Sequence, residues 1–209
     1  MKLPRLNAIV DVDVAERAGW RPIDLAHAYL AGGARFLQLR GKTLSGERFM
    51  ALARAIAAAA RERDALFVVN DRADLATLAG ADGVHVGQED LSVAAVRRIV
   101  GDTAIVGLST HTPEQLDGAL EEPVSYVALG PVFGTATKAT GYDAVGLARV
   151  RQAATRAGRV PLVAIGGISL DTAESVLEAG AASVAVIGDL LVTGDPASRV
   201  REYCVRLDR

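Results

Sequence analysis

What most constrains this chain is an alternation kept up from end to end: short, nearly unbroken runs of Val, Ile, Leu and Ala, each followed by a stretch with helical spacing. The strand-like runs are 7–12, 35–39, 66–69, 83–86, 104–108, 125–129, 160–165 and 182–187. The helical stretches are 23–31, 49–60, 72–78, 93–100, 113–120, 146–157, 171–179 and 196–207. Continuous apolar strands are what a parallel sheet covered on both faces requires. Eight strand–helix pairs in 209 residues match the lower size limit of a (β/α)8 TIM barrel. An open doubly wound sheet is the alternative. Composition does not shift along the chain and no Pro/Ser-rich linker divides it, so residues 1–209 read as a single TIM-barrel domain.

In such a barrel the chemistry sits on the rim where the strands end. Reading only those positions gives a polar set in an apolar chain. Asn70-Asp71 follows the third strand, and Gln88 and Asp90 follow the fourth. Asp71 and Asp90 therefore fall on one rim, past the ends of successive strands. Two carboxylates about 4 Å apart repel by roughly 4 kcal/mol at an effective dielectric near 20. A divalent cation between them removes that repulsion. One or two carboxylates, completed by phosphate oxygens, is how Mg²⁺ is usually held. Taken singly, each aspartate also reads as the cap of the helix that follows it.

The rest of the rim suits phosphate. Gln38-Leu39-Arg40-Gly41-Lys42 stands at the second strand, Ser109-Thr110-His111 at the fifth, and a Gly/Thr loop leads into Lys138 after the sixth. Arg40, Lys42 and Lys138 supply three cations, matching a diphosphate. Arg can grip phosphate oxygens bidentately, whereas Lys acts as a mobile point charge. Thr135 and Thr137 offer hydroxyls, and Gly134 lets the backbone approach an anion. At the seventh and eighth strands, Gly166-Gly167 and Ile187-Gly188 lack cations but offer main-chain N–H groups ahead of helices. Such groups bind a phosphate monoester, and barrels often place one there. The rim thus reads as a site for a diphosphate held with a metal and, beside it, a monophosphate. His85 and His111 are assigned to supporting positions. No Ser/His/Asp triad and no zinc cluster is apparent.

The totals exclude other classes. A net charge of −2, with both signs spread along the chain, argues against a nucleic-acid binder, which needs a basic patch. No stretch approaches the ~18 uncharged apolar residues of a membrane span. Asp11 and Asp13 interrupt any apolar leader. The single cysteine, Cys204, rules out an internal disulfide and fits a reducing compartment. A cytoplasmic enzyme acting on small molecules is expected. Nothing in the sequence sets its oligomeric state.

Taken together and in order, Gln38–Lys42, Asn70-Asp71, Gly83 to Asp90, Gly107 to His111, Gly130 to Lys138 and Ala164 to Ile168 closely resemble the motifs of the thiamine phosphate synthase family. The resemblance covers nearly the whole chain. It implies a (β/α)8 barrel that joins hydroxymethylpyrimidine diphosphate to hydroxyethylthiazole phosphate, releases diphosphate and requires Mg²⁺. It implies that Gln38, Leu39, Arg40, Gly41, Lys42 and Asn70 contact the pyrimidine diphosphate, and that Asp71 and Asp90 hold Mg²⁺. Ser109 and Lys138 would contact the diphosphate. Thr135, Ala136 and Thr137 would line the thiazole phosphate, with Gly167, Ile187 and Gly188 binding its phosphate. The family often has Ser where this chain has Gly188, so one hydroxyl donor is lost while the main-chain donor stays. The rivals are a thiazole tautomerase-like isomerase, which needs neither the metal pair nor the Arg/Lys set, and a non-catalytic barrel that binds a phosphorylated ligand.

One expectation follows from the sequence alone. Lys138→Ala should lower turnover by roughly 10²–10³, the usual cost of deleting one charge-stabilising donor, and a loss smaller than about threefold would remove Lys138 from the leaving-group site.

Overall fold

The computed structural model describes residues 2–134 and 141–208. Its strands are β1 (Leu6–Asp11), β2 (Phe36–Arg40), β3 (Leu66–Asn70), β4 (Gly83–Val86), β5 (Ile105–Thr110), β6 (Tyr126–Leu129), β7 (Leu162–Ile165) and β8 (Ser183–Val186). The helices are α1 (Val12–Arg17), α2 (Pro22–Gly32), α3 (Gly46–Arg61), α4 (Ala73–Ala79), α5 (Val93–Val100), α6 (Pro113–Leu120), α7 (Gly146–Ala157), α8 (Leu170–Glu178) and α9 (Pro196–Leu207), with a 3₁₀ turn at Gly188–Leu191. Every strand pairs in parallel with the next, and β8 returns to β1 with Leu6 opposite Val184 and Ala8 opposite Val186. That last pairing closes the barrel and excludes the open doubly wound sheet.

Alternation along each strand sends side chains by turns to the lumen and to the helix layer. Leu3, Ile9, Phe36, Val68, Ile105, Tyr126, Ala128, Val163 and Ala185 form the apolar filling of the lumen. Phe36 meets Tyr126 edge to face, with ring centroids 6.0 Å apart. The larger core lies outside, where Val10, Leu37, Leu39, Phe67, Val84, Val106 and Val184 meet the helices. Each such side chain contributes about 1.5–3 kcal/mol by leaving water.

Local signals set the boundaries. Ser45, Ser92 and Thr112 cap α3, α5 and α6 through Arg48, Ala95 and Gln115 N–H groups, as such side chains do. Gly33 and Gly80 close α2 and α4 in the left-handed region, at φ 106° and 72°. The extra helix α1 departs from the sequence reading, which ran the first strand on to residue 12. The Asp11 carboxylate accepts the Val14 N–H at 3.1 Å, which starts a helix one residue earlier. Neither aspartate of the rim pair is a helix cap. Ser92 caps α5, and the N-cap position of α4 is Arg72, with no side-chain bond.

The ring of helices closes where α2 meets α9, and a small residue is needed there. A Cβ on Gly32 would lie 2.5 Å from the Ala197 carbonyl and 2.7 Å from Val200 Cβ. Gly46, by contrast, opens α3 with nothing near its missing side chain. Gly32→Ala should therefore destabilise the fold by about 1–3 kcal/mol, while Gly46→Ala should stabilise it by about 0.4–1 kcal/mol. Urea unfolding of both variants checks this; equal midpoints would show that α2 and α9 are not packed this closely.

Candidate active site

Gln38, Arg40, Asn70 and Ser109 lie within their strands rather than after them, and alternation turns all four toward the lumen. They share its parity with Phe36, Val68 and Ile105 and stand one or two layers above that filling. Leu39 has the opposite parity. It is fully buried in the outer core, so any part it takes at the rim is through its main chain.

Arg40 ends β2 facing Asp11, the last residue of β1, in register. Its Nη1 donates to Asp11 Oδ2 at 2.5 Å, and Asp11 is only 3% exposed. Sequence reading gave Asp11 no role at the site. Its signal was weak: a carboxylate at a strand end whose partner lies 29 residues away. Two turns later in the barrel, Asp71 and Asp90 meet. Asp90 accepts the Gly87 N–H at 2.7 Å, which folds the loop after β4 back toward Asp71. Lys42 Nζ stands 3.2 Å from Asp71 Oδ2. Burial, with the hydrogen bond to and the charge of Asp90, raises the Asp71 carboxyl above the usual range. Burial also opposes the charge on Asp90, but the Gly87 N–H, the Asp71 carboxyl and the charge of Lys42 outweigh it and hold this carboxyl low. The contact thus pushes the two carboxyls apart, Asp71 upward and Asp90 downward.

Asp71 has a further cost. Its φ is 66°, in the left-handed region that aspartate tolerates better than most residues but seldom adopts. Its own N–H donates to the His85 carbonyl at 2.8 Å, which fixes the turn. Two carboxylates held in contact, one in an uncommon backbone conformation, form an all-oxygen donor set of the kind a hard divalent cation takes. Among the described residues no group of three or more His, Cys, Asp or Glu side chains converges, so a cation here would complete its shell from elsewhere.

Among the described residues that line the opposite half of the rim there is no cation, and Asp189 is the charged side chain. Ser109, His111, Gly130, Gly166, Gly167, Ile187 and Gly188 line a cleft of about 330 Å³ over the ends of β5 to β8. Gly167 has φ 63°, and a Cβ there would lie 2.4 Å from the Gly134 carbonyl oxygen, so only glycine lets the two main chains approach. Thr135, Ala136, Thr137 and Lys138 lie outside the described residues. The structure therefore gathers Arg40, Lys42, Asp71 and Asp90 on one side, and Ser109, Gly167, Ile187 and Gly188 around the cleft.

Asp189 is a second residue without a role in the sequence reading. Its carboxylate accepts from the Leu170 N–H at 3.1 Å, Arg199 Nη2 at 2.8 Å and the Tyr203 hydroxyl at 2.6 Å. It ties the 3₁₀ turn after β8 to the start of α8 and to α9, and so shapes both glycine walls of the cleft. The sequence signal was Arg199 and Tyr203 at i, i+4 on one helix face, ten residues beyond an aspartate. Asp189 and Arg199 are about 16% and 15% exposed. Asp189→Ala should therefore cost roughly 3 kcal/mol in urea unfolding, as loss of one partner of a buried pair does, and should weaken titrated binding of a phosphate monoester. Unchanged values in both measurements would show that the turn after β8 holds its place without this carboxylate.

The thiamine monophosphate synthase family model matches residues 8–190. A thiamine-phosphate synthase from Koribacter versatilis is 46% identical over 205 residues, covering 97% of this chain and 95% of that protein. One from Thermus thermophilus is 45% identical over 197 residues, covering 93% and 94%. The solved thiamine phosphate pyrophosphorylase from Pyrococcus furiosus superposes with a TM-score of 0.88 at 28% identity, over 98% of this chain and 95% of that one. By sequence along nearly its whole length and by fold, the chain belongs to the thiamine monophosphate synthase family.

Proposed function

We propose that this protein joins hydroxymethylpyrimidine diphosphate to hydroxyethylthiazole phosphate, giving thiamine monophosphate and diphosphate ion. The observation that carries the reading is the division of one rim into two unlike halves. One half has two touching carboxylates faced by Lys42, and the other is a glycine-walled cleft. That is the division a diphosphate and a phosphate monoester need. The relatives described above carry the synthase name, and none of the residues described favours the isomerase or the non-catalytic alternative.

In this reading Asp71 and Asp90 would hold Mg²⁺, which would offset the negative charge of the diphosphate. Arg40, Lys42, Ser109 and Lys138 face the same leaving group; Gln38 and Asn70 hold the pyrimidine. The bond from the pyrimidine methylene carbon to the diphosphate oxygen breaks, and the electron pair leaves with the diphosphate. The electron-rich aminopyrimidine stabilises the cation left behind. The thiazole nitrogen then donates its lone pair to that carbon. Gly167, Ile187 and Gly188 hold the thiazole phosphate so that the nitrogen faces the carbon. Little covalent work falls to the protein. It positions two rings and stabilises departing charge, which is where most of such a barrier is removed.

Charge explains why a cation is needed. Without one, Asp11 and Asp71 already engage Arg40 and Lys42, and a diphosphate would meet two touching carboxylates. A divalent ion would remove that repulsion. We place the reaction in the cytoplasm; a half-buried Cys204 with no second cysteine in the chain supports a reducing compartment. No helix among the described residues is long and apolar enough to cross a membrane.

The decisive experiment mixes purified protein with both substrates and follows diphosphate release, with Mg²⁺ and with a chelator. Release that stops on chelation is expected; a bound but unreacted pair would favour a sensor. Mg²⁺ at a hundredfold excess over its Kd should stabilise the protein by about 2.7 kcal/mol. Asp71→Asn should abolish that gain while leaving the metal-free protein folded. An Asp71→Asn variant with the full Mg²⁺-dependent shift in melting temperature would take the metal away from this pair.

A further inference from the structure

The lumen filling contains one polar chain that the reaction as described does not use. Tyr126 begins β6 and is fully buried. Its ring crosses β5 at Gly107: a Cβ there would lie 2.1 Å from Tyr126 Cζ and 2.4 Å from its hydroxyl oxygen. Glycine at 107 is the opening through which a side chain of β6 reaches β4. The Tyr126 hydroxyl lies 2.9 Å from His85 Nδ1, and the two rings stack with centroids 5.5 Å apart and planes 15° apart. His85 Nε2 lies 2.8 Å from Ser109 Oγ. Ser109 in turn lines the cleft, and its carbonyl accepts the Gln88 amide at 2.6 Å.

The direction of each hydrogen bond follows from counting protons. Burial raises the Tyr126 hydroxyl above its ordinary range, so it stays protonated. A fully buried O–H must donate to something or lose a hydrogen bond outright. Among the described residues, the acceptor within its reach is His85 Nδ1. That nitrogen then carries a lone pair, which places the imidazole proton on Nε2. Nε2–H donates to Ser109 Oγ, and Ser109 cannot give its own hydrogen back to the same atom.

We propose that Tyr126 and His85 are positioning residues that fix Ser109 as a hydrogen-bond donor turned toward the cleft. An ionised phosphate oxygen only accepts, so this is the polarity a departing diphosphate needs, and the histidine's tautomer enforces it before substrate arrives. The inference rests on the placing of Ser109 at the leaving group proposed above. Without the Tyr126 hydroxyl, Nδ1 can take the proton, Nε2 becomes an acceptor, and Ser109 donates inward to His85 instead of outward.

Tyr126→Phe tests this, since the ring still fills the space over Gly107. Nitrogen-15 NMR of the wild-type protein should show His85 protonated at Nε2, and in Tyr126→Phe the proton should move toward Nδ1. In the same variant kcat should fall about 10-fold, the range for one hydrogen bond to a charged group, with KM for the pyrimidine diphosphate little changed. Adding Ser109→Ala to Tyr126→Phe should cost little beyond Ser109→Ala alone. A wild-type His85 protonated at Nδ1, a tautomer unmoved by Tyr126→Phe, or losses that multiply in the double variant would each overturn the proposal. An unchanged kcat in Ser109→Ala alone would instead overturn the placing of Ser109 at the diphosphate, while the tautomer would still report the wiring.

Discussion

Closing eight parallel strands on themselves leaves no unpaired strand edge, and the lumen must then be filled with side chains. In this chain Ile9, Phe36, Val68, Ile105 and Tyr126 fill it, and Leu3, ahead of the first strand, joins the same cluster. Polar groups are carried on the same lumenal parity: Gln38 and Arg40 above Phe36, Asn70 above Val68, Ser109 above Ile105. A period of two along each strand therefore does two jobs with one pattern. It builds an apolar plug and sets a ring of polar side chains on top of it, held by packing that the plug makes rigid. The site is precise because the strands beneath it cannot shift without breaking register with two neighbours.

The ring gathers unlike charges in a way that would be unfavourable if each group were judged alone. Asp71 and Asp90 are in contact and partly buried, and Asp71 sits at positive φ. The structure offsets this with the Gly87 N–H on Asp90 and Lys42 on Asp71. Because Lys42 is half exposed, its attraction is screened by water and contributes little to stability. Cost retained at a rim, rather than removed by substitution, is the usual mark of a site whose groups serve a ligand.

The elements that sequence reading located were those whose cause is local. Strand runs and helical spacing depend on residues within a turn or two of each other. Asp71 and Asp90 could be paired because they follow successive strands, and adjacent strands of a barrel end side by side. Helix α1 was hidden because Val12 continues an apolar run, and only the Asp11 side chain shows where the strand stops. The true partners of Arg40 and Asp189 were out of reach for another reason: Asp11 lies 29 residues from Arg40 on the neighbouring strand, and Arg199 lies ten residues past Asp189, beyond a turn and on α9. Likewise Gly107 reads as one more strand glycine until the ring of Tyr126 is seen lying over it. Charge counting from sequence treated Arg40 as available to substrate, whereas a buried carboxylate already takes one of its donors.

That last difference bears on how the two substrates would be kept apart. A diphosphate would be drawn to the half of the rim where cations and a metal can meet its charge. A monoester placed there would leave part of that charge unpaired. Over the ends of the seventh and eighth strands, by contrast, Asp189 already engages Arg199, so among the described residues there no bare cation competes for a diphosphate and main-chain N–H groups between glycines remain. Such donors recognise the shape of a single phosphate more than its charge. Ser109 stands where the two halves meet, lining the cleft while its hydroxyl meets Nε2 of His85, whose carbonyl accepts the Asp71 N–H. A hydroxyl at that boundary can serve only one side at a time, which makes the direction of its proton, and not merely its presence, the variable that the residues behind it must control.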